Sequence, residues 1–234
     1  MKPGLIIIIL VTILALLGAV YFSFDKIAIF TLSKLYGINV SYTALSKDKV
    51  NGYKFENLKI LNRRSGIGFF SSRSSLKLNK TTALLKSLDI DFKFRDVHFI
   101  RPGVEKAESM YDSVNKLVAI PFEGRWAYKD VAGTVEIFSN GLTLKSFAAN
   151  GSEIRISLAG DIFYNNKINM DITIYFSKMV LKDIPNELSS VIMQEEPQEW
   201  KSFSVNMKGD YHSPSLKVSG KLFRLNVGTM VVKD

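Results

Sequence analysis

From residue 38 onward the chain is dominated by a two-residue repeat of apolar and polar positions. Ile38, Val40 and Tyr42 alternate with Asn39, Ser41 and Thr43, the pattern of a strand with one buried face. Asn51-Gly52 supplies a turn, and Tyr53, Phe55, Leu58 and Ile60 follow with a phase slip near Glu56-Asn57 that reads as a bulge. Residues 66–79 (GIGFFSSRSSLKLN) predict a third strand, left partly exposed by the polar run from Ser71 to Ser75. Ile90, Phe92 and Phe94 alternate with Asp91, Lys93 and Arg95, and Val97 and Phe99 resume the pattern until Pro102 stops it. Beyond Val118 the clearest alternations are Leu142 and Leu144; Ile154, Ile156 and Leu158; Ile168, Met170, Ile172, Ile174 and Phe176; Val205 and Met207; Leu216, Val218 and Leu222. The pairs Lys129-Asp130, Asn140-Gly141, Asn150-Gly151, Asn165-Asn166 and Ser213-Pro214 read as tight turns, so this part is an antiparallel meander and the whole chain carries about eleven strands.

Helical spacing is confined to a few places. Residues 4–24, GLIIIILVTILALLGAVYFSF, carry no charge, and at 1.5 Å per residue such a run spans roughly 30 Å of hydrocarbon. The reading is a transmembrane signal-anchor. A cleaved secretory signal competes with it, with Lys2 as n-region and Gly18-Ala19 as cleavage site, but Leu17 stands where a small residue is wanted and the apolar run continues past Val20. Residues 25–36 predict a short amphipathic helix ended by Gly37, residues 81–88 a turn or two around Leu84 and Leu85, and residues 184–193 a short helix after Pro185. The strongest soluble helical pattern is Val104, Ala107, Met110, Tyr111, Val114 and Leu117. Residues 194–200 (QEEPQEW) read as an acidic loop.

The expected organisation is an anchor over 1–24, a membrane-proximal helix with strands over 25–103, a linker or capping helix over 104–118, and a β-meander over 119–234. The fold class is mainly β: an N-terminal transmembrane helix followed by a long curved antiparallel β-sheet, groove-like, with two or three short helices. A closed sandwich is the competing architecture, because alternation says that each strand has one oily face without saying what covers it.

Charge changes this picture. Between residues 25 and 101, 15 Lys or Arg stand against 6 Asp or Glu, a net of +9, whereas residues 102–234 carry a net of −1. The basic excess therefore adjoins the anchor, where each cation near an anionic leaflet contributes on the order of 1 kcal/mol. Lys26, Lys34, Arg63, Arg64 and Arg73 are the headgroup-contact candidates. The chain has no cysteine, which excludes disulfides, thiolate metal sites and a cysteine nucleophile. His98 and His212 stand far apart, and Asp210, His212 and Ser213 resemble a triad only on paper, since neighbouring strand residues point to opposite faces. Gly66-Ile67-Gly68 lacks the lysine and helix start of a phosphate loop. Trp126 and Trp200 read as core or rim residues. No catalytic residue, metal ligand or cofactor site is expected, and the chain reads as neither an enzyme nor a nucleic-acid reader.

The order of anchor, short helix, VNGYKFENLKI (50–60), SSLKL (74–78), the Leu84-Leu85 helix, and Ile90-Asp91-Phe92 running to Phe99-Ile100-Arg101-Pro102 resembles the N-terminal region of AsmA-like proteins. ANGSEIRI (149–156), Gly160-Asp161-Ile162 and KGDYHSP (208–214) resemble that family's C-terminal part, and the chain is also similar to the N component of type II secretion systems. The resemblance implies a single-pass protein of the bacterial inner membrane with its body in the periplasm, and an apolar β-groove that binds or transfers phospholipid. About eleven strands 4.8 Å apart stack to roughly 50 Å, which suits a short member that passes lipid to a partner, or a scaffold. The groove candidates are Phe92, Phe94, Ile154, Ile156, Leu158, Met170, Ile172, Ile174, Phe176, Val205 and Met207. The expected partner is membrane phospholipid, with an envelope protein or a second copy of the chain as further partners; the alternative function is a non-enzymatic assembly factor of an envelope or secretion complex.

Overall fold

The computed structural model describes residues 37–48, 52–79, 87–100, 117–182, 184, 186–210, 214–219 and 224–229. The strands are β1 (Ile38–Ser41), β2 (Ala44–Asp48), β3 (Gly52–Asn62), β4 (Gly68–Asn79), β5 (Leu88–Ile100), β6 (Ala127–Phe138), β7 (Gly141–Gly151), β8 (Ile154–Phe163), β9 (Lys167–Phe176), β10 (Gln194–Glu196), β11 (Trp200–Asp210), β12 (Ser215–Ser219) and β13 (Arg224–Thr229). Two short helices, α1 (Lys178–Leu181) and α2 (Asn186–Ile192), follow β9. All thirteen described strands join one sheet in the order β1-β3-β4-β5-β6-β7-β8-β9-β11-β12-β13, and every pairing is antiparallel. β2 lies on β3 alongside β1, and β10 lies on β11. The chain is thus mainly β, built on one large sheet where a two-sheet sandwich was the competing expectation.

Pairing from Leu88↔Ile137 to His98↔Ala127 joins β5 to β6, so the sheet runs without a break across the division placed at 104–118. Lys129-Asp130 is inside β6 and is not a turn, because both flanking stretches stay paired with β5. Residues 194–200 form strand, turn and strand where a loop was expected: Glu196 pairs with Trp200, and the loop between them closes through Gln198 and Glu199 at φ 62° and 61°. The short helix expected at 184–193 is α2. The anchor at 4–24, the helical patterns at 25–36 and 81–86, and the turn residue Ser213 lie outside the described residues, as do residues 104–116 of the capping pattern. No helix among the described residues is long and apolar enough to cross a membrane.

A line of irregularities crosses the sheet. Glu56 pairs with Arg73 and Leu58 with Ser71, which sets Asn57 against Ser72. In the same way Ser72 faces Asp96, and Lys129 is the extra residue between Tyr128↔Gly151 and Asp130↔Asn150. Asn57 and Asp96 both take φ 50°, a left-handed conformation that Asn and Asp tolerate better than other side chains. Ser71 and Ser74 are buried, not exposed; the Ser71 hydroxyl lies 2.9 and 2.8 Å from the carbonyls of Arg73 and Arg95, and the Ser72 hydroxyl donates to Asp96 Oδ2 at 2.6 Å. These irregularities re-phase the alternation. Phe55 and Leu58, Phe94 and Val97, and Tyr128 and Val131 are each three apart in sequence yet remain on one face.

Register then lines up apolar rows on that face. One runs Phe55, Ser74, Phe94, Val131, Ala149, Ile156, Ile174, Phe203; the next runs Leu76, Phe92, Gly133, Phe147, Leu158, Ile172, Val205, Val218. Only glycine fits at position 133 in the second row, because a Cβ there would meet the Ser146 carbonyl oxygen and the Phe92 ring. The opposite face carries Lys93, Ala132, Ala148, Ser157, Thr173 and Ser204 in one row. Its polar groups pair among themselves, as in Thr143 with Asp161 at 2.6 Å and Asn206 with Asp171 at 2.8 Å.

Candidate functional site

The apolar face is divided into a packed section and a half-buried one. In the packed section Tyr128, Ile154, Ile156, Ile174, Phe176, Phe203 and Val205 are at most 1–2% exposed. Leu117, Val118 and Pro121 from the segment before β6, and Val180, Ile184, Ile192 and Met193 from the α1–α2 region, are buried in the same cluster. The Tyr128 hydroxyl fastens one cap to the sheet by donating to the Pro121 carbonyl at 2.6 Å, and burial raises its pKa. Phe99 packs edge-on between Phe122 and Tyr128, with ring centroids 5.2 and 5.4 Å away.

Further along the same strands the cover thins. Leu78, Ile90, Val135, Leu144, Ile137, Leu142, Ile162 and Ile168 face the same side and are half-buried. Beneath Val118, Ala119 and Phe122 a cavity of 280 Å³ opens against Leu158, Ile162, Ile168, Met170, Ile172 and Met207, with no polar side chain in its wall. A second cavity of 230 Å³ lies against Phe122 together with Ile67, Phe99 and Ile100. Aromatic contacts extend the apolar surface toward β4: Phe92 and Phe147 are 6.1 Å apart, Phe92 and Phe94 5.3 Å, Phe94 and Phe69 5.2 Å. Such a surface offers hydrocarbon contact and no directional chemistry.

The eleven groove candidates all fall on this one face. Ile154, Ile156, Ile174, Phe176 and Val205 are packed core under the caps, a correction to their expected role, because the helices after β9 and the segment before β6 fold over that section. Leu158, Met170, Ile172 and Met207 line the apolar cavity, and Phe92 and Phe94 are half-buried on β5, three strands from Leu158. Ile162 and Ile168 line the same cavity and were missed, although Ile168 stood in the alternating run. Of the headgroup candidates, Arg63 and Arg64 occupy the turn after β3, with Arg63 Nε donating to the Ile38 carbonyl, while Arg73 stands on the opposite, polar face of β4. The structure does not bring them together. Lys26 and Lys34 lie outside the described residues.

The polar face is ordered by charge pairs. Asp91 accepts from Asn79 at 2.6 Å and from Thr134 at 2.8 Å, and these two bonds hold its carboxyl below the usual range. Lys145, at a bulge in β7, reaches Asp89 at 2.9 Å and Glu136 at 3.1 Å, and its pKa is raised by Asp89 first. His98 is exposed, and among the described residues no cluster of His, Asp and Glu could hold a metal ion. Arg125 stacks over Trp126 and Arg155 over Trp200, at 4.4 and 4.1 Å; both tryptophans are half-buried, and Trp126 packs against the core. No known family, curated protein or solved structure matches this chain.

Proposed function

We propose that this protein is a membrane-tethered lipid-binding or lipid-transfer protein in which the half-buried section of the apolar face serves as a groove for acyl chains. The observation that carries the reading is the wall of the 280 Å³ cavity, apolar throughout and continuous with half-buried rows on β5 to β9. Each CH₂ moved from water onto such a surface is worth about 0.8 kcal/mol, so a chain of a dozen methylenes gains enough to leave water without any catalytic group. The apolar run at 4–24 would hold the sheet at the bilayer from which the lipid comes, and the resemblance to AsmA-like proteins supports a site in the bacterial envelope.

Native mass spectrometry of the full chain, extracted in a mild detergent, tests this. Phospholipid should co-purify and be released by Ile162→Asp, which places a carboxylate in the cavity wall. A lipid-free wild-type protein carrying a stoichiometric protein partner would instead favour the assembly-factor reading.

A further inference from the structure

The side of the sheet turned away from the apolar face holds a second feature. On β2 to β5, beside the line of irregularities, a concavity of 390 Å³ has Ser46, Lys54, Glu56, Arg73, Lys93 and Arg95 among its lining residues. Arg73, Lys93 and Arg95 stand there with Glu56 as the one carboxylate of the lining. Register makes the crowding acute: Arg73 stands directly opposite Arg95, and Lys93 is two residues along the same strand on the same face. Directly opposed side chains in an antiparallel pair have Cβ atoms about 4.5–5.5 Å apart, and like charges placed so are destabilising. The neighbouring acids sit on the outer flanks, with Glu56 opposite Arg73 on β3 and Asp130 3.9 Å from Arg95 on β6. Nothing anionic among the described residues stands between the two guanidinium groups.

We infer that this concavity is a binding site for a phosphate-type oxyanion, held between the guanidinium groups of Arg73 and Arg95 with Lys93 beside them. Guanidinium forks match tetrahedral oxyanions with paired N–H···O bonds, and an anion between two of them offsets their mutual repulsion. The site stands on the opposite face from the apolar cavity, so it holds or fails independently of the acyl-chain reading. The same chemistry is presented by the phosphodiester of an anionic lipid and by a free phosphate.

The test uses the full chain in a nonionic detergent and follows thermal unfolding in sodium phosphate against sodium chloride at matched ionic strength, since simple screening acts in both salts. A parallel arm uses mixed micelles of the same detergent with phosphatidylglycerol, against phosphatidylcholine. A soluble phosphate source raises the melting midpoint in the first arm; a lipid source raises it only with phosphatidylglycerol. In whichever arm responds, Arg73→Gln and Lys93→Gln each weaken the response roughly tenfold, as expected for a lost charge-assisted contact, while Lys208→Gln on β11 leaves it unchanged. Without anion, Arg73→Gln melts at or above the wild-type midpoint because the facing like charge is gone. The assignment is overturned if neither arm responds, or if Arg73→Gln and Lys93→Gln respond as the wild type does.

Discussion

A carboxylate placed at two positions of the apolar face separates its closed section from its open one. Ile174 is fully buried beneath the caps, whereas Ile162 is half-buried in the cavity wall on the neighbouring strand. Ile174→Asp forfeits about 2–3 kcal/mol of side-chain burial and adds several kcal/mol for an uncompensated buried charge. That sum approaches the whole stability of an ordinary domain, about 5–15 kcal/mol, so this variant should fail to fold cooperatively at neutral pH. Ile162→Asp forfeits only about half of its transfer term, roughly 1–1.5 kcal/mol, because the new carboxylate reaches water through the cavity. Urea unfolding followed by circular dichroism reads both. The expected result is a cooperative, modestly weakened Ile162→Asp protein that has lost its lipid, beside an Ile174→Asp protein with no unfolding transition. Equal destabilisation at both positions would mean that the face is sealed along its whole length, and the groove would have to be abandoned.

Three further outcomes follow from local geometry. Tyr128→Phe leaves the buried Pro121 carbonyl without its donor, which should lower stability by about 1–2 kcal/mol and speed hydrogen exchange in residues 117–122 more than in β8 or β9. Ser71→Ala removes a fully buried hydroxyl bonded to the Arg73 and Arg95 carbonyls and should cost about 1–2 kcal/mol, against little for Ser75→Ala, whose exposed bond spans 3.4 Å. For Asp91, a folded-state pKa below the unfolded value means that its contribution is present above about pH 4 and is lost as pH falls through the lowered folded value. The stability gap between wild type and Asp91→Asn, measured by urea titration, should therefore be constant near neutrality and narrow below pH 4; a gap that widens in acid would contradict the two hydrogen bonds.

Much of the sheet is legible in the sequence, because alternation is a local property: each strand must put its apolar side chains on one side whatever it pairs with. The phase slip at Glu56-Asn57 could be read from the spacing alone; it is a one-for-one irregularity, Asn57 against Ser72 at φ 50°, and not the bulge the spacing suggested. What alternation leaves open is non-local. That Asn57, Ser72, Asp96 and Lys129 fall on one line across four strands depends on register, and so does the meeting of Arg73 with Arg95, which are distant in sequence and belonged to no recognisable motif. The burial of Ser71 and Ser74 escaped a polarity-based reading because their environment is set by neighbouring strands, with Ser71 finding backbone acceptors there. The choice between sandwich and single sheet, and between packed core and half-buried cavity wall, was likewise made by tertiary packing. An oily strand face looks the same in sequence whether a helix, a second sheet or a ligand covers it, and here the segments at 117–122 and 178–193 decided the matter by folding over Ile154, Ile174 and Phe176 while leaving Ile162 and Met207 only half-covered.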